Sequence, residues 1–253
     1  MFEGQPKGLY ALALANTGER FGYYTMLAVF VLFLKANFGF SPEVSGAIYG
    51  TFLGLVYFLP FLGGIMADRF GYGKMVTIGI IIMFLGYLFL SLPLGNGTLA
   101  VAGMGGALLL VSCGTGLFKG NLQVMVGNLY DTPEYAAKRD SAFSIFYMAI
   151  NIGALFAPTA ASKITENFMA KAGLKYQGDI PALCHEYLEK GQQMAANSLD
   201  TLTHFAQSQA SAFNGDLATF AHKYIDELSL SYHYGFAVAC ISLIVSMLIY
   251  QVF

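Results

Sequence analysis

Long runs of hydrophobic residues divide the chain into six segments that are each long enough to cross a lipid bilayer. A bilayer core of about 30 Å requires roughly 20 apolar residues in a helix. The six runs lie near 9–34, 44–67, 75–95, 98–129, 141–162 and 232–253. We therefore predict an all-α membrane protein in which residues 1–162 contain transmembrane helices 1–5 and residues 232–253 form helix 6.

Residues 163–231 interrupt this pattern, because they are polar and hold five Lys and eight Asp or Glu. Apolar side chains still recur there at helical spacing, from Leu199 to Ala206 and from Leu217 to Leu228. The sequence FNGD at 213–216 predicts a turn between the two. We predict an extracytoplasmic helical hairpin inserted between helices 5 and 6, acting as a lid, as a docking site or as a passive insertion. Three histidines in it have no metal-ligand spacing and are expected at the solvated surface: His185, His204 and His222.

The distribution of Lys and Arg predicts the orientation in the membrane. Short loops that face the cytoplasm carry an excess of these two residues. Five of them fall on one side of the alternating topology, and only Lys35 falls on the other. The five are Lys7, Arg69, Lys74, Lys138 and Arg139. We therefore expect a multi-pass protein of a cell membrane, the inner membrane in a bacterium, with the N-terminus in the cytoplasm and residues 163–231 outside.

Composition agrees with a membrane protein and excludes several other classes. Hydrophobic residues make up 56% of the chain and charged residues 11%, against about 25% charged residues in soluble domains. The net charge is −2 without a basic patch, so no nucleic-acid partner is expected. The three cysteines form no disulfide pattern, and we expect neither a metal nor a cofactor. The first apolar run is too long for a signal peptide, so we interpret it as a retained span.

Charged residues lie in the middle of the first apolar run, in the sequence NTGERFGYY at 16–24. A charge at bilayer depth costs several kcal/mol unless it is paired or faces a wet cavity. Four polar residues here are spaced i, i+3, i+4 and i+7, which places them on one face of helix 1. They are Asn16, Glu19, Arg20 and Tyr23, with Tyr24 at the edge of the same face. We expect this face to point into the protein.

Helices 4 and 5 carry similar polar stripes. They comprise Ser112, Thr115, Lys119 and Gln123 on helix 4, and Ser144, Tyr147 and Asn151 on helix 5. Glu19, Arg20 and Lys119 together carry a net charge of +1, which favours an anionic guest or a carboxylate from elsewhere in the protein. The alternative is a packing network without a ligand. Buried ion pairs stabilise less than apolar packing does, so a pure scaffold has little reason to keep three charges there.

The predicted loop between helices 2 and 3 has the sequence GGIMADRFGYGK at 63–74. Asp68 sits just past the end of helix 2, and Gly71 and Gly73 permit a tight turn. An acid at this position, with Arg69 and Lys74 nearby, can bridge to a neighbouring helix and latch one conformation. A plain charged turn is the alternative interpretation.

Four motifs together resemble a known family. GGIMADRFGYGK resembles the loop 2–3 motif G-x-x-x-D-R-x-G-x-x-K of the major facilitator superfamily. NTGERFGYY resembles the E-x-x-E-R-F-x-Y-Y motif of its proton-dependent oligopeptide transporters. FYMAINIGALFAP at 146–158 and GTGLFKGN at 114–121 resemble that family's elements in helices 5 and 4. The resemblance covers about residues 8–161 and 232–253, and it leaves the insertion out.

The resemblance implies an alternating-access importer of di- and tripeptides that is driven by a proton gradient. By motif position, Arg20 and Lys119 would bind the peptide carboxylate, and Asn151 would contact the peptide backbone or its amino end. The pocket would be lined by Tyr23, Tyr24 and Tyr57. Glu19 would pair with Lys119 and take part in proton coupling. This agrees with the residues themselves, since a positive inward site suits a carboxylate that Arg can hold through two bonds.

Two departures from the family pattern keep alternatives open. Asn16 stands where the motif begins with Glu, and Asn cannot titrate. Members are also about twice as long, so the chain resembles the N-terminal six-helix half and would need a C-terminal half as its partner. One alternative is a related transporter of another small anion or a modified peptide, with weak or no proton coupling. Another is a non-transporting membrane scaffold or receptor whose external hairpin binds a partner.

Overall fold

A computed structural model describes residues 2–209 and 212–252, and the elements in this part are helical. The α-helices are α1 Lys7–Phe38, α2 Pro42–Phe70, α3 Tyr72–Ser91, α4 Thr98–Asn128, α5 Arg139–Lys171, α6 Ile180–Lys190, α7 Ala196–Ser208 and α8 Leu217–Val252. Short 3₁₀ turns precede α5 and follow α6. Six of these helices, α1 to α5 and α8, are long and apolar enough to cross a membrane. The predicted all-α, six-span membrane architecture is confirmed.

Local sequence explains where the first helices end. Gly39 ends α1 with a φ of 64°, a left-handed conformation that glycine adopts without steric cost. Ser41 then caps α2 by accepting a hydrogen bond from the backbone N–H of Val44 at 3.3 Å. Gly71 separates α2 from α3 with a φ of 96°, so the tight turn predicted here depends on this glycine. Gly73 instead lies within α3.

Glycines allow α4 to pack closely against α2 and α3. A Cβ atom added to Gly63 of α2 would lie 2.1 Å from the carbonyl oxygen of Gly116. On another face of α4, a Cβ atom at Gly114 would lie 2.6 Å from the carbonyl oxygen of Gly79 in α3. Small residues at such crossings bring helix backbones into contact, which is the main packing device of membrane helices. The first two glycines of GTGLFKGN, Gly114 and Gly116, therefore allow the close packing of α4 against α3 and α2.

Helix α1 packs between α5 and α8. Gly153 of α5 lies against the backbone of α1, where an added Cβ atom would be 2.5 Å from the carbonyl oxygen of Thr17. On the other side, the hydroxyl of Ser246 in α8 donates to the carbonyl of Ala15 at 2.5 Å. This central position buries most of the polar face of α1 and keeps it away from lipid.

Helices α5 and α8 continue well past the predicted ends of the spans. They contain 33 and 36 residues, which corresponds to lengths of about 50 and 54 Å, against about 30 Å for the bilayer core. The predicted boundaries at 162/163 and 231/232 therefore lie inside continuous helices. The end of α5 and the start of α8 form the base of the insertion, since the apolar runs are shorter than the helices that contain them.

The rest of the insertion contains α6, which the sequence did not predict, and α7. The hydroxyl of Tyr224 on α8 accepts from the backbone N–H of Gln177 at 3.0 Å and lies 3.2 Å from the carbonyl of Lys175. Its ring belongs to an aromatic cluster whose other members are Phe205, Phe213 and Phe220. The segment between α5 and α6 is thereby bonded to α8, and α7 packs on α8 through Phe205. Residues 213–216, the predicted turn, lie between α7 and α8.

One histidine of the insertion is not a solvated surface residue. His185 on α6 is half-buried and its Nε2 donates to the carbonyl of Ala36 in α1 at 2.7 Å, whereas His204 and His222 are exposed as expected. The reason is that α6 folds back against the end of α1. Cys184 beside it is fully buried, and this burial raises the pKa of its thiol to about 12, so it is a neutral core residue.

Candidate functional site

A buried ion pair occupies the middle of α1. Arg20 Nε lies 2.5 Å from Glu19 Oε2, and its terminal nitrogen lies 2.8 Å from Oε1. The two side chains are almost inaccessible to solvent. Two parallel hydrogen bonds to a carboxylate are the strongest pairing available to Arg, and they offset part of the cost of burying both charges. The pair is electrically neutral.

Lys119 on α4 is the uncompensated cation of the site. It is half-buried, and its ammonium lies 4.4 Å from the centre of the Tyr57 ring on α2. It interacts electrostatically with both Glu19 and Arg20, but no salt bridge joins it to an acid within the described residues. In this conformation Glu19 gives both carboxylate oxygens to the adjacent guanidinium, so its pairing with Lys119 stays a prediction.

Aromatic side chains surround the charges. The guanidinium of Arg20 lies 5.0 Å from the centre of the Tyr23 ring, close enough for a cation–π contact. Tyr23 packs edge-on against Tyr24, with the ring centres 5.4 Å apart, and also against Phe52 of α2. Tyr23 is buried, Tyr24 is half-buried, and Tyr57 is 69% exposed. A ligand could reach Tyr57 and Lys119 directly, whereas the Glu19–Arg20 pair lies behind Tyr23.

Several buried polar atoms near these charges have no hydrogen-bond partner among the described residues. They include the amide nitrogen of Asn16, the hydroxyl of Ser112 and the hydroxyl of Tyr87. Tyr87 lies on α3 and interacts electrostatically with Glu19, Arg20 and Tyr23. Sequence analysis missed it, because α3 has no polar stripe. The one available signal was the Tyr87 hydroxyl itself, in the middle of an apolar run.

The polar stripe of helix 5 does not point into the six-helix bundle. Ser144, Tyr147 and Asn151 are exposed, and Tyr147 keeps 51% of its surface. The face of α5 that meets α1 instead contains small residues such as Ala149 and Gly153. Helices that pack closely need small side chains at their contact, so the bulkier polar side chains of α5 lie on its other faces. The expectation that this stripe faces inward is wrong for the bundle taken alone.

Asp68 and Arg69 lie in the last turn of α2 and Lys74 lies in the first turn of α3, and all three are exposed. The prediction that Asp68 sits past the end of helix 2 is therefore wrong, because α2 continues to Phe70. The hydroxyl of Tyr72 donates to the carboxylate of Asp68, and the guanidinium of Arg69 lies 5.6 Å from the ring centre of Phe70. Within the described part of the chain, Asp68, Arg69 and Lys74 form no salt bridge. The carboxylate is held in a local turn and does not bridge to a distant helix in this conformation.

No cluster of three His, Cys, Asp or Glu that could bind a metal ion occurs among the described residues. The arrangement is instead suited to binding an anion. A half-buried ammonium lies beside a tyrosine ring and near a neutral, desolvated ion pair, in surroundings of low dielectric constant where electrostatic interactions are strong.

The sequence is similar to those of several peptide transporters. It is 38% identical to a di-/tripeptide transporter of Lactococcus lactis over 165 residues, which cover 62% of this chain and 32% of that protein. It is 33% identical to dipeptide and tripeptide permease B of Shigella dysenteriae over 165 residues, covering 65% of this chain and 32% of that protein. The chain thus matches about a third of the length of these relatives.

The fold is similar to that of a solved transporter. A mutant of the peptide transporter POT, crystallised with alafosfalin, superposes with a TM-score of 0.67 and 26% sequence identity. The superposition covers 100% of this chain and 39% of that one. The sequence profile of the POT family matches residues 73–252, which include α3 to α8. The chain therefore belongs to the POT family.

Proposed function

We propose that this chain is the N-terminal six-helix part of a transporter that imports di- and tripeptides by alternating access, driven by a proton gradient. The observation that carries the proposal is the uncompensated Lys119 ammonium beside Tyr57, close to the buried Glu19–Arg20 pair. The peptide transporters among the relatives support the choice of substrate.

In this proposal Lys119 holds the peptide's terminal carboxylate. Arg20 is the second group assigned to the carboxylate by motif position, and in this conformation Glu19 neutralises its charge. The aromatic wall is formed by Tyr23, Tyr24 and Tyr57. Asn151 contacts the peptide backbone or its amino end, for which its exposure on α5 leaves it free. Charge complementarity supports these roles, since a carboxylate neutralises the single excess positive charge of the site.

A second six-helix half is the proposed partner. Helices α2 and α5 are the least buried of the six spans, yet they expose Tyr57, Tyr147 and Asn151 within apolar segments. Polar groups at membrane depth face protein or a wet cavity and not lipid. In this arrangement the second half supplies the carboxylate that binds the peptide's amino group, and the bilayer covers the remaining faces. We place the protein in a bacterial inner membrane, with its N-terminus in the cytoplasm and the insertion outside.

We further propose that Asp68, Arg69 and Lys74 latch the cytoplasmic side during the transport cycle. Their exposure and the absence of salt bridges between them in the described part of the chain leave them free to bind another element. The hydrogen bond from the Tyr72 hydroxyl keeps the Asp68 carboxylate at this turn, where another element can bind it.

Asn16 favours a second candidate, a related transporter of another small anion or modified peptide with weak or no proton coupling. Asn16 is buried one turn from Glu19 and cannot exchange a proton. Two carboxylates at this separation would repel each other and favour proton binding by one of them. In the absence of the second carboxylate, proton uptake depends on a carboxylate elsewhere in the protein, or the coupling is weaker.

Uptake of a labelled dipeptide into vesicles, with and without an inward proton gradient, tests the proposal. We expect saturable uptake by the full-length protein, and a stronger dependence on the gradient in Asn16→Glu than in the wild type. Asn16→Gln, which keeps an amide, is the matched control and should behave as the wild type does. No dipeptide uptake under either condition would overturn the peptide assignment. Fully gradient-driven uptake that Asn16→Glu leaves unchanged would place the coupling site elsewhere.

A further inference from the structure

Two cavities are both lined by Gln251: one lies between α3 and α8, and the other lies at the end of the bundle where α1, α3, α4 and α8 meet. The first has a volume of about 480 Å³ and, apart from Gln251, is lined by apolar side chains such as Phe84, Leu243 and Leu248. The second has a volume of about 440 Å³ and contains polar groups, among them those of Lys74 and Thr77. The two cavities adjoin at Gln251, and they are called the α3–α8 groove below, with an apolar part and a polar part.

The direction of the helices orients this groove in the bilayer. Helix α3 begins at Tyr72 and α8 ends at Val252, so Lys74 and Gln251 lie at the same end of the bundle. From Thr77 to Phe84, α3 rises about 10 Å into its apolar stretch. The polar cavity therefore lies at the membrane surface, and the apolar cavity lies deeper, as the two parts of a lipid molecule do. By the positive-inside distribution this surface is the cytoplasmic one.

The polar cavity carries one positive charge, which an anionic ligand would neutralise. Lys74 is the single charged residue among those that line it. Its ammonium is exposed and has neither a salt bridge nor a hydrogen bond within the described residues. Two other cations at this end are already engaged, since Lys138 donates to the carbonyl of Gly4 and Arg139 lies 3.6 Å from Asp131.

The floor of the polar cavity is fixed by a close approach of α8 to α3. The hydroxyl of Tyr250 donates to the carbonyl of Gly73 at 3.2 Å. A Cβ atom at Gly73 would lie 3.3 Å from the same hydroxyl, so the Tyr250 side chain packs closely against the start of α3. The neighbouring Lys74 is thereby held at the rim of the groove.

We propose that this groove binds one molecule of an anionic glycerophospholipid from the cytoplasmic leaflet. An acyl chain lies along the apolar cavity between α3 and α8, and the headgroup phosphate lies at the Lys74 ammonium. Basic pockets between transmembrane helices on this side of a membrane are suited to acidic headgroups.

A second groove in the same protein provides an internal comparison. It lies between α2 and α4, has a volume of about 420 Å³, and is lined by residues such as Phe52, Leu55 and Leu109. None of the residues that line it is charged. It can accommodate acyl chains, but it has no group that would select an anionic headgroup.

The absence of tryptophan from the chain allows a direct test. Leu248→Trp and Leu109→Trp each introduce one fluorescent reporter, since both leucines are exposed at the edge of their groove. The proteins are placed in phosphatidylcholine vesicles that contain a small, equal fraction of brominated phosphatidylglycerol or brominated phosphatidylcholine. Bromine quenches tryptophan on contact. We expect brominated phosphatidylglycerol to be preferred about fivefold at position 248, and no preference at position 109.

Charge variants in the Leu248→Trp background identify the site. Lys74→Gln should abolish the preference and Lys74→Arg should retain it. Arg69→Gln removes an exposed cation at the same membrane surface, outside the groove, and should retain it as well. The proposal would be overturned if both lipids quenched equally, or if the preference for brominated phosphatidylglycerol survived Lys74→Gln. It would also be overturned if Arg69→Gln lost this preference as completely as Lys74→Gln does. If Leu248→Trp does not fold, Ile244→Trp reports from the same groove.

Discussion

At the scale of single residues, the arrangement of three charges decides the chemistry of the site. Glu19 and Arg20 are adjacent in sequence and neutralise each other through two hydrogen bonds. A carboxylate guest would therefore be attracted mainly by Lys119, which keeps its ammonium near the Tyr57 ring. The pair and the lysine have separate structural roles, although their charges lie close enough to interact.

Lys119→Ala is expected to reduce peptide uptake by about tenfold or more, through weaker binding of substrate. A hydrogen bond to a charged group contributes about 1.5–3 kcal/mol, so its loss reduces affinity by about that factor. Because Glu19 is paired with Arg20, the substitution leaves no unpaired buried carboxylate, and the fold should survive. The measurement is the Michaelis constant for uptake. Tyr57→Phe keeps the ring beneath the ammonium and serves as the control. Wild-type kinetics in Lys119→Ala would contradict the assignment.

At the scale of helices, glycine crossings position the site. Lys119 lies one turn beyond Gly116, the residue at which α4 meets Gly63 of α2. The amide of Asn121 reinforces this contact by donating to the carbonyl of Gly63 at 3.2 Å. The distance between the lysine and the Tyr57 ring therefore depends on how closely α2 and α4 approach.

Gly63→Ala is expected to destabilise the protein by about 1–3 kcal/mol, since its methyl group would overlap the carbonyl of Gly116 and force the helices apart. The measurement is the thermal unfolding midpoint in detergent. Gly54→Ala is the matched control on the same helix, because no atom lies within 4 Å of an added Cβ there. Equal midpoints for the two variants would show that the crossing tolerates a methyl group.

The turn between α2 and α3 provides a second test at this scale. If the Asp68 carboxylate latches the cytoplasmic side, Asp68→Asn should slow turnover severalfold. Substrate affinity should stay largely unchanged, because Asp68 is not among the residues proposed to contact the peptide. Transport rate and substrate binding are measured on the same preparation. Tyr72→Phe, which removes the local hydrogen bond and keeps the charge, is the control. Lost affinity with normal turnover would place Asp68 in the binding site.

At the scale of the whole molecule, the insertion is built on two helices of the transmembrane bundle. Helices α5 and α8 project from it, and α6 folds back to contact α1 through His185. The aromatic cluster around Tyr224 packs α7 against α8. The insertion is therefore attached to the bundle by its base and by the packing of α6 against the end of α1.

Replacing residues 174–215 by a short Gly/Ser bridge, which spares α5 and α8, should leave a folded protein that still transports. The six spans pack mainly against one another, and the insertion contacts them mainly at the end of the bundle from which α5 and α8 project. Size-exclusion chromatography and dipeptide uptake are the measurements. His185→Ala, which removes the contact with α1 and keeps the insertion, is the control. Complete loss of folding on deletion would show that the insertion is part of the core.

The sequence by itself determined the six spans and the polar face of α1. Both depend on local patterns: an apolar run must be long enough to cross a bilayer, and a charge inside it must avoid lipid. Asn16, Glu19, Arg20 and Tyr23 are buried as their spacing predicted. The turn glycine at 71 was predictable for the same reason, because a short sequence fixes a short piece of backbone.

Only the tertiary structure decided which groups meet. It paired Glu19 with Arg20 and not with Lys119, since partner choice depends on how closely α1 and α4 approach. It turned Asn151 outward, because small residues on α5 occupy the contact with α1. It also extended α5 and α8 beyond their apolar runs and added α6. Hydropathy marks where a helix leaves lipid, whereas hydrogen bonding and packing decide where the helix ends.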